Sequence, residues 1–143
     1  MKKNGFTLVE LMIVVAVIAI LAALALPSIT RSRANTNEAS AATAIRSIAT
    51  AAIGYRSTHS FYPANMAALT ATTPTYVDTA LGAGAKNSYN FLLSGGTSGF
   101  SATCRPSGYQ VTGTRSFYVD ESGVVRWTSE DRPAADTDPV LSE

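Results

Sequence analysis

The sequence predicts an α+β protein in which one long N-terminal helix packs, through its second half, on a small antiparallel sheet of about four strands. An apolar run covers Phe6–Leu26, and a stripe of apolar residues with helical spacing follows over Glu38–Tyr55. Short aromatic or β-branched runs, separated by turn residues, fill the last third of the chain. A helix on a sheet is the simplest two-layer arrangement that buries one face of each element.

The apolar run is long enough to span a membrane. Within Phe6–Leu26 only Thr7 and Glu10 are polar. About 20 apolar residues rising 1.5 Å each cross the roughly 30 Å hydrocarbon core of a bilayer. Lys2 and Lys3 precede the run, so the positive-inside rule predicts a cytoplasmic N-terminus and an external C-terminal domain.

Glu10 leaves three interpretations of this segment open. A secretory signal cut near Ala23–Ala25 is one, although an acid in the hydrophobic part opposes insertion. A plain anchor is the second, with an acid that costs about 2.5–3.5 kcal/mol at mid-membrane. In the third, cleavage after Gly5 makes Phe6 the new amino terminus. Its amine could then pair with the Glu10 carboxylate of a neighbouring copy and set the register of assembly.

The stretch Gly5-Phe6-Thr7-Leu8-Val9-Glu10 resembles the class III leader junction of type IV pilins and type II secretion pseudopilins. The resemblance implies that a prepilin peptidase cuts between Gly5 and Phe6 and methylates the Phe6 amine. It also implies that Phe6 and Glu10 are the assembly residues. Pro27 matches the position at which family members carry a helix-disturbing proline, and proline within a helix favours a kink.

The same resemblance implies a pilin fold and a sequence of locations. The subunit would be stored in the bacterial inner membrane, with its N-terminus in the cytoplasm and its C-terminal domain in the periplasm. The inner-membrane pilus assembly machinery would then polymerise it, through its N-terminal helix, into an extracellular filament of identical copies.

The chain divides into six predicted segments. They are a leader peptide (1–5), a transmembrane and filament-core helix (6–27), an amphipathic helix (28–57), an αβ-type loop (58–88) whose part from Thr70 to Ser88 is irregular, an antiparallel sheet (89–127) and an acidic tail (128–143). The expected core stripe of the second helix is Ala41, Ile45, Ile48, Ala52 and Tyr55. Met66 and Leu69 suggest a short helical turn inside the loop.

Four short runs are candidate strands, and a hairpin is predicted after them. The candidate strands are Tyr89–Leu93, Phe100–Cys104, Tyr109–Thr112 and Ser116–Val119. The turn residues Asp120–Gly123 then lead to a further apolar run, Val124–Trp127, which indicates a hairpin.

Composition argues against several kinds of chemistry. The net charge is +1, with 11 basic and 10 acidic residues, so nothing points to nucleic-acid binding. Cys104 is the single cysteine, which rules out an internal disulfide and favours a buried thiol. The lone His59 makes a metal site improbable, and Asp136 with Asp138 is only a weak calcium candidate. We predict no catalytic residues, no metal ligands and no cofactor.

Three functions fit this pattern. The first is the structural subunit of a type IV pilus. The second is a pseudopilin or minor pilin of a type II secretion or DNA-uptake machine. The third, from another class, is a membrane-anchored periplasmic enzyme or binding domain, for which an N-terminus uncut after Gly5 would argue.

Overall fold

The structure, a computed structural model, describes residues 5–142 of the 143-residue chain. The predicted leader peptide, apart from Gly5, and the last residue of the acidic tail, Glu143, therefore lie outside the described residues. The chain forms two compact units, Met1–Arg33 and Ala34–Glu143, and each is described by itself.

The first unit contains the start of helix α1, which covers Leu8–His59 and has 52 residues. Every residue in the range 5–33 is exposed in the isolated chain. By length and composition alone, α1 is apolar enough to cross a membrane. The helical conformation continues through Pro27, where the Thr30 hydroxyl donates to the Pro27 carbonyl at 3.0 Å. The kink at Pro27 stays a prediction.

The second unit combines the rest of α1 with a fully antiparallel sheet in the order β1-β2-β3-β4-β5. The strands are β1 (Ala85–Lys86), β2 (Tyr89–Gly95), β3 (Phe100–Pro106), β4 (Ser116–Asp120) and β5 (Arg126–Thr128). The predicted α+β class is confirmed. The sheet has five strands instead of about four because the two-residue β1 pairs with the start of β2.

The core forms where the buried stripe of α1 and one face of the sheet join a single hydrophobic cluster. The five predicted stripe residues are all buried, and Ile45, Ile48 and Ala52 are fully so. From the sheet, Cys104 lies in register between Phe91 on β2 and Phe117 on β4. Residues two apart along a strand share a face, which is why alternate residues of β2 and β3 are buried.

The prediction of a strand at Tyr109–Thr112 is wrong. This segment is a turn, because its backbone groups bond within the turn instead of to a neighbouring strand. The Val111 and Thr112 amides donate to the Gly108 carbonyl at 3.1 and 2.9 Å, and Gln110 has a left-handed φ of 61°. Tyr, Val and Thr suit a strand by composition, but the left-handed backbone of Gln110 interrupts the extended conformation.

Two local predictions for the second unit, a hairpin and a short helical turn, agree with the structure. The hairpin after Asp120 is confirmed by the register of Phe117 with Trp127. The short turn at Met66–Leu69 is a 3-10 helix with both end residues buried. The connection from Thr70 to Ser88 is more regular than expected, since it holds the one-turn helix α2 (Thr79–Gly82) and β1.

A buried carboxylate ties α1 to the loop before β4. Glu38 is 4% exposed, and its Oε1 accepts from the Thr114 amide at 2.7 Å and from the Thr114 hydroxyl at 2.9 Å. Its Oε2 accepts from Arg115 Nε at 2.6 Å. Beside it, Asn37 Nδ2 donates to the Thr112 carbonyl at 3.0 Å. We call these five residues the helix clamp.

Burial opposes ionisation of Glu38, but the hydrogen bonds from Thr114 and Arg115 outweigh it and hold the pKa of Glu38 below the usual carboxyl value. Because the pKa is lower in the folded state, the clamp stabilises the fold above pH 4.5, the usual value, and this contribution is lost as the pH falls further.

The acidic tail is folded against the edge strand. Arg132 Nη1 and Nη2 donate to the two carboxylate oxygens of Asp138 at 2.8 and 2.6 Å, and Val140 forms a bridge with Arg126 of β5. The Arg132 hydrogen bonds and the Ala135 amide lower the pKa of Asp138 to about 2. Of the two carboxylates in the weak calcium candidate, Asp136 and Asp138, the second is therefore paired with a guanidinium.

We predict that Glu38→Gln lowers the free energy of unfolding by about 2 kcal/mol, because it removes a buried charged acceptor from the clamp. Denaturant titration of the full chain in detergent, followed by Trp127 fluorescence, measures this loss. The exposed Glu121 serves as the control, since Glu121→Gln should change stability by less than about 0.5 kcal/mol. Equal effects of the two substitutions would contradict the clamp.

We also predict that the Cys104 thiol is unreactive in the folded protein, since it is 1% exposed and burial raises its pKa to about 12. Maleimide labelling of the native chain should be slower than that of the urea-unfolded chain by at least roughly a hundredfold. As a control, Ser94→Cys in a Cys104→Ser background places an exposed thiol on β2 and should label rapidly. Rapid labelling of native Cys104 would be inconsistent with this core.

Candidate functional site

The candidate site is the start of α1, where the predicted cleavage and assembly residues lie. Residues 5–7 are not helical, and the Leu11 amide donates to the Thr7 carbonyl at 3.3 Å. Thr7 is therefore the N-cap of α1, the residue whose carbonyl receives a helical hydrogen bond while its own backbone lies outside the helix. The bond between Gly5 and Phe6 lies just ahead of this cap, in non-helical chain.

Thr7 and Glu10 form a reciprocal capping box. The Glu10 amide donates to the Thr7 hydroxyl oxygen at 3.2 Å, and Glu10 Oε2 accepts from the Thr7 amide at 2.9 Å. The Thr7 hydroxyl also donates to Glu10 Oε2 at 2.7 Å. Two backbone amides that lack partners at a helix start are thereby satisfied, and the Glu10 carboxylate is held against its own chain.

The structure places the predicted residues as follows. Gly5 is exposed, and no atom outside its neighbours lies within 4 Å of the place a Cβ would occupy. The Phe6 side chain is 77% exposed. Glu10 lies in the first turn of α1 and bonds to Thr7. Its predicted pairing with the Phe6 amine of a neighbouring, cleaved copy stays a prediction. Pro27 lies further along α1, away from this cluster.

Sequence reasoning missed two residues with clear roles. Thr7 was visible in principle, because Thr-x-x-Glu ahead of an apolar run is the sequence pattern of a capping box. The role of Glu38 could not be predicted from the sequence, because its partners Thr114 and Arg115 are 76 and 77 residues away along the chain. No local sequence pattern indicates this contact.

Two grooves of the second unit carry charged side chains, and these side chains form ion pairs. A groove beside α1 carries Lys86 and Asp78, but these are paired with each other at 2.6 Å. A groove on the other face of the sheet carries Arg105, which is paired with Asp131 at 2.9 Å. Within residues 5–142, no three His, Cys, Asp or Glu side chains are grouped so that they could hold a metal ion.

Comparison with known proteins identifies the N-terminal segment. Residues 1–26 match the family model of the prokaryotic N-terminal methylation motif, which is the class III leader of type IV pilins and pseudopilins. The predicted resemblance is thus confirmed for this segment. A search of curated proteins gave no match to the chain. The leader and the apolar helix together fit anchoring in the inner membrane.

Proposed function

We propose that this chain, which carries the class III leader of type IV pilins and pseudopilins at residues 1–26, is a structural subunit of a type IV pilus. In this proposal the chain is cut between Gly5 and Phe6, the Phe6 amine is methylated, and the subunit waits in the inner membrane. It then polymerises through α1. The observation that carries the proposal is an apolar, exposed helix start with one carboxylate at Glu10.

Hydrophobic burial alone does little to fix the axial position of one helix relative to its neighbours in such an assembly. The apolar side chains of α1 leave lipid tails for the side chains of neighbouring helices, and both surroundings are about equally apolar. Close packing then favours association but tolerates sliding along the helix axis. A charged group tolerates no such sliding, because an unpaired carboxylate in an apolar medium is costly and its pairing requires a partner at one position.

Cleavage after Gly5 supplies that partner. The new amine on Phe6 is a cation at the same end of the helix as Glu10, four residues away along the chain. When two copies pack side by side, the amine of one subunit can pair with the carboxylate of the next. Phe6 and Glu10 act in this proposal as a register device, while the second unit supplies the surface that the filament presents.

The leader fits a pseudopilin or minor pilin of a type II secretion or DNA-uptake machine equally well. The same N-terminal chemistry would then build a short periplasmic piston in place of a long fibre. Labelling the chain in cells and imaging surface filaments separates the two, because long external fibres that contain the chain support the pilus subunit.

We predict that the mature protein begins at Phe6 and carries one methyl group on its amine. Mass spectrometry of the N-terminal peptide from membranes measures both features in one spectrum. An N-terminus at Met1, or one created by a cut near Ala25, would contradict processing and would favour an anchored enzyme or a secreted domain instead.

We predict that Glu10→Val leaves cleavage and membrane insertion intact but abolishes or deranges filament assembly, because the register pair is gone. Glu10→Gln keeps the size and the capping hydrogen bonds but removes the charge, and it should fail in the same way. Filaments sheared from cells are quantified against the processed subunit in the membrane. Normal fibres from either variant would rule out the register pair.

A further inference from the structure

Arg31 and Arg33 are two exposed cations that follow the apolar run of α1. Arg31 lies five residues beyond Leu26, so the helical rise places it about 7.5 Å past the end of that run, and Arg33 about 10.5 Å past it. The headgroup layer of a bilayer is roughly 5–7 Å thick on each side of the hydrocarbon core. A helix whose apolar run fills the core therefore brings both arginines to the lipid phosphates, within reach of their long side chains.

The described part of the chain supplies no counterion for these two arginines. Neither the Arg31 nor the Arg33 guanidinium takes part in a hydrogen bond or an ion pair among residues 5–142. The next acid along the sequence, Glu38, is held by Arg115 at 2.6 Å. Both guanidiniums are thus available to an anion from outside the chain.

The short segment between the apolar run and the arginines suits a membrane surface. The Ser28 and Thr30 hydroxyls donate to helix carbonyls three residues earlier, at 2.9 and 3.0 Å. These hydroxyls are satisfied by the helix itself and need no water. The Arg31 guanidinium is then the first side-chain group beyond Leu26 that needs a partner from outside.

The positions of the two arginines on the helix distinguish a lipid from a protein partner. Residues two apart leave an α-helix in directions roughly 200° apart, so Arg31 and Arg33 lie on nearly opposite sides. One acidic patch on one neighbouring protein can contact only one of them. A lipid leaflet surrounds the helix and offers phosphates to both.

We infer that Arg31 and Arg33 bind the phosphates of anionic phospholipids in the periplasmic leaflet of the inner membrane and fix the depth of the stored subunit. A guanidinium matches a phosphate with two parallel hydrogen bonds. Cleavage after Gly5 removes Lys2 and Lys3, so the two arginines are the basic side chains nearest to the apolar run in the mature chain. The inference rests on the membrane anchoring in the proposed function and does not need filament assembly.

The first test measures the contact in the full chain, reconstituted into bilayers of phosphatidylglycerol and phosphatidylcholine. Solid-state NMR on arginine labelled with carbon-13 in the guanidinium group detects its dipolar coupling to lipid phosphorus, and lysines give no signal. We expect this coupling in the wild type and its loss in Arg31→Gln/Arg33→Gln. Arg46→Gln removes an exposed arginine of the second unit and should leave the coupling unchanged.

Two results of this test would overturn the inference. One is the absence of coupling in the wild type, which is the result if the guanidiniums face acidic residues of a neighbouring protein. The other is a coupling of wild-type strength in Arg31→Gln/Arg33→Gln.

The second test compares lipid affinities in a Lys2→Gln/Lys3→Gln background, where the inner lysines do not contribute. Native mass spectrometry counts phosphatidylglycerol molecules bound to the chain from mixed micelles, with phosphatidylcholine as the zwitterionic comparison. Adding Arg31→Gln/Arg33→Gln should lower phosphatidylglycerol affinity by at least roughly fivefold, the usual effect of one basic residue at an anionic surface. Arg31→Lys/Arg33→Lys keeps both charges and should retain binding. Unchanged affinity in the glutamine variant, or equal retention of inorganic phosphate by lipid-free micelles, would overturn the lipid assignment.

Failure of the proposed function gives a different result. A chain that does not float with vesicles is not anchored in a membrane, which contradicts the proposed function, and the inference falls with it. A chain that floats but enters no filament contradicts the pilus subunit alone, because the arginine contact is measured in bilayers.

Discussion

A carboxylate at the start of an apolar helix must find hydrogen-bond donors, and this requirement organises the N-terminal unit. In the isolated chain Glu10 takes its donors from Thr7, which also caps the helix. Every other residue from Leu8 to Leu26 is apolar, so no other side chain in that run can compete for the carboxylate. The polar chemistry of this half of the helix is thereby concentrated in its first turn.

In the second unit a carboxylate also needs hydrogen-bond donors, but there the donors come from a distant part of the chain. Glu38 is taken out of water, and its two oxygens accept four hydrogen bonds from Thr114 and Arg115. An unpaired carboxylate there would be costly, so the fold depends on bringing the loop before β4 onto α1. Asp138 is paired with Arg132 inside the tail. The tail is held against β5 by hydrogen bonds from Trp127 N to the Pro139 carbonyl and from Arg126 Nη1 to the Asp138 carbonyl, both at 3.0 Å.

Much of this arrangement could be predicted from the sequence, because local patterns determine it. The stripe from Ala41 to Tyr55 identifies the buried face of α1, and the aromatic runs identify three strands and a hairpin. The errors came from long-range or backbone effects. The left-handed Gln110 turns a strand-like segment into a turn, and β1 exists only because β2 lies beside it. For the site, the motif predicts Gly5, Phe6 and Glu10, and the Thr-x-x-Glu pattern within it is that of a capping box. The partners of Glu38 could not be predicted, because they are distant in sequence.

The most direct measurement of the central claim is the structure of a filament assembled from the mature chain. The account predicts that the helices beginning at Phe6 form the filament core, with each Phe6 amine within hydrogen-bond distance of the Glu10 carboxylate in an adjacent subunit. A filament in which the Glu10 carboxylate lies away from every amine, or in which these helices are outside the core, would contradict it.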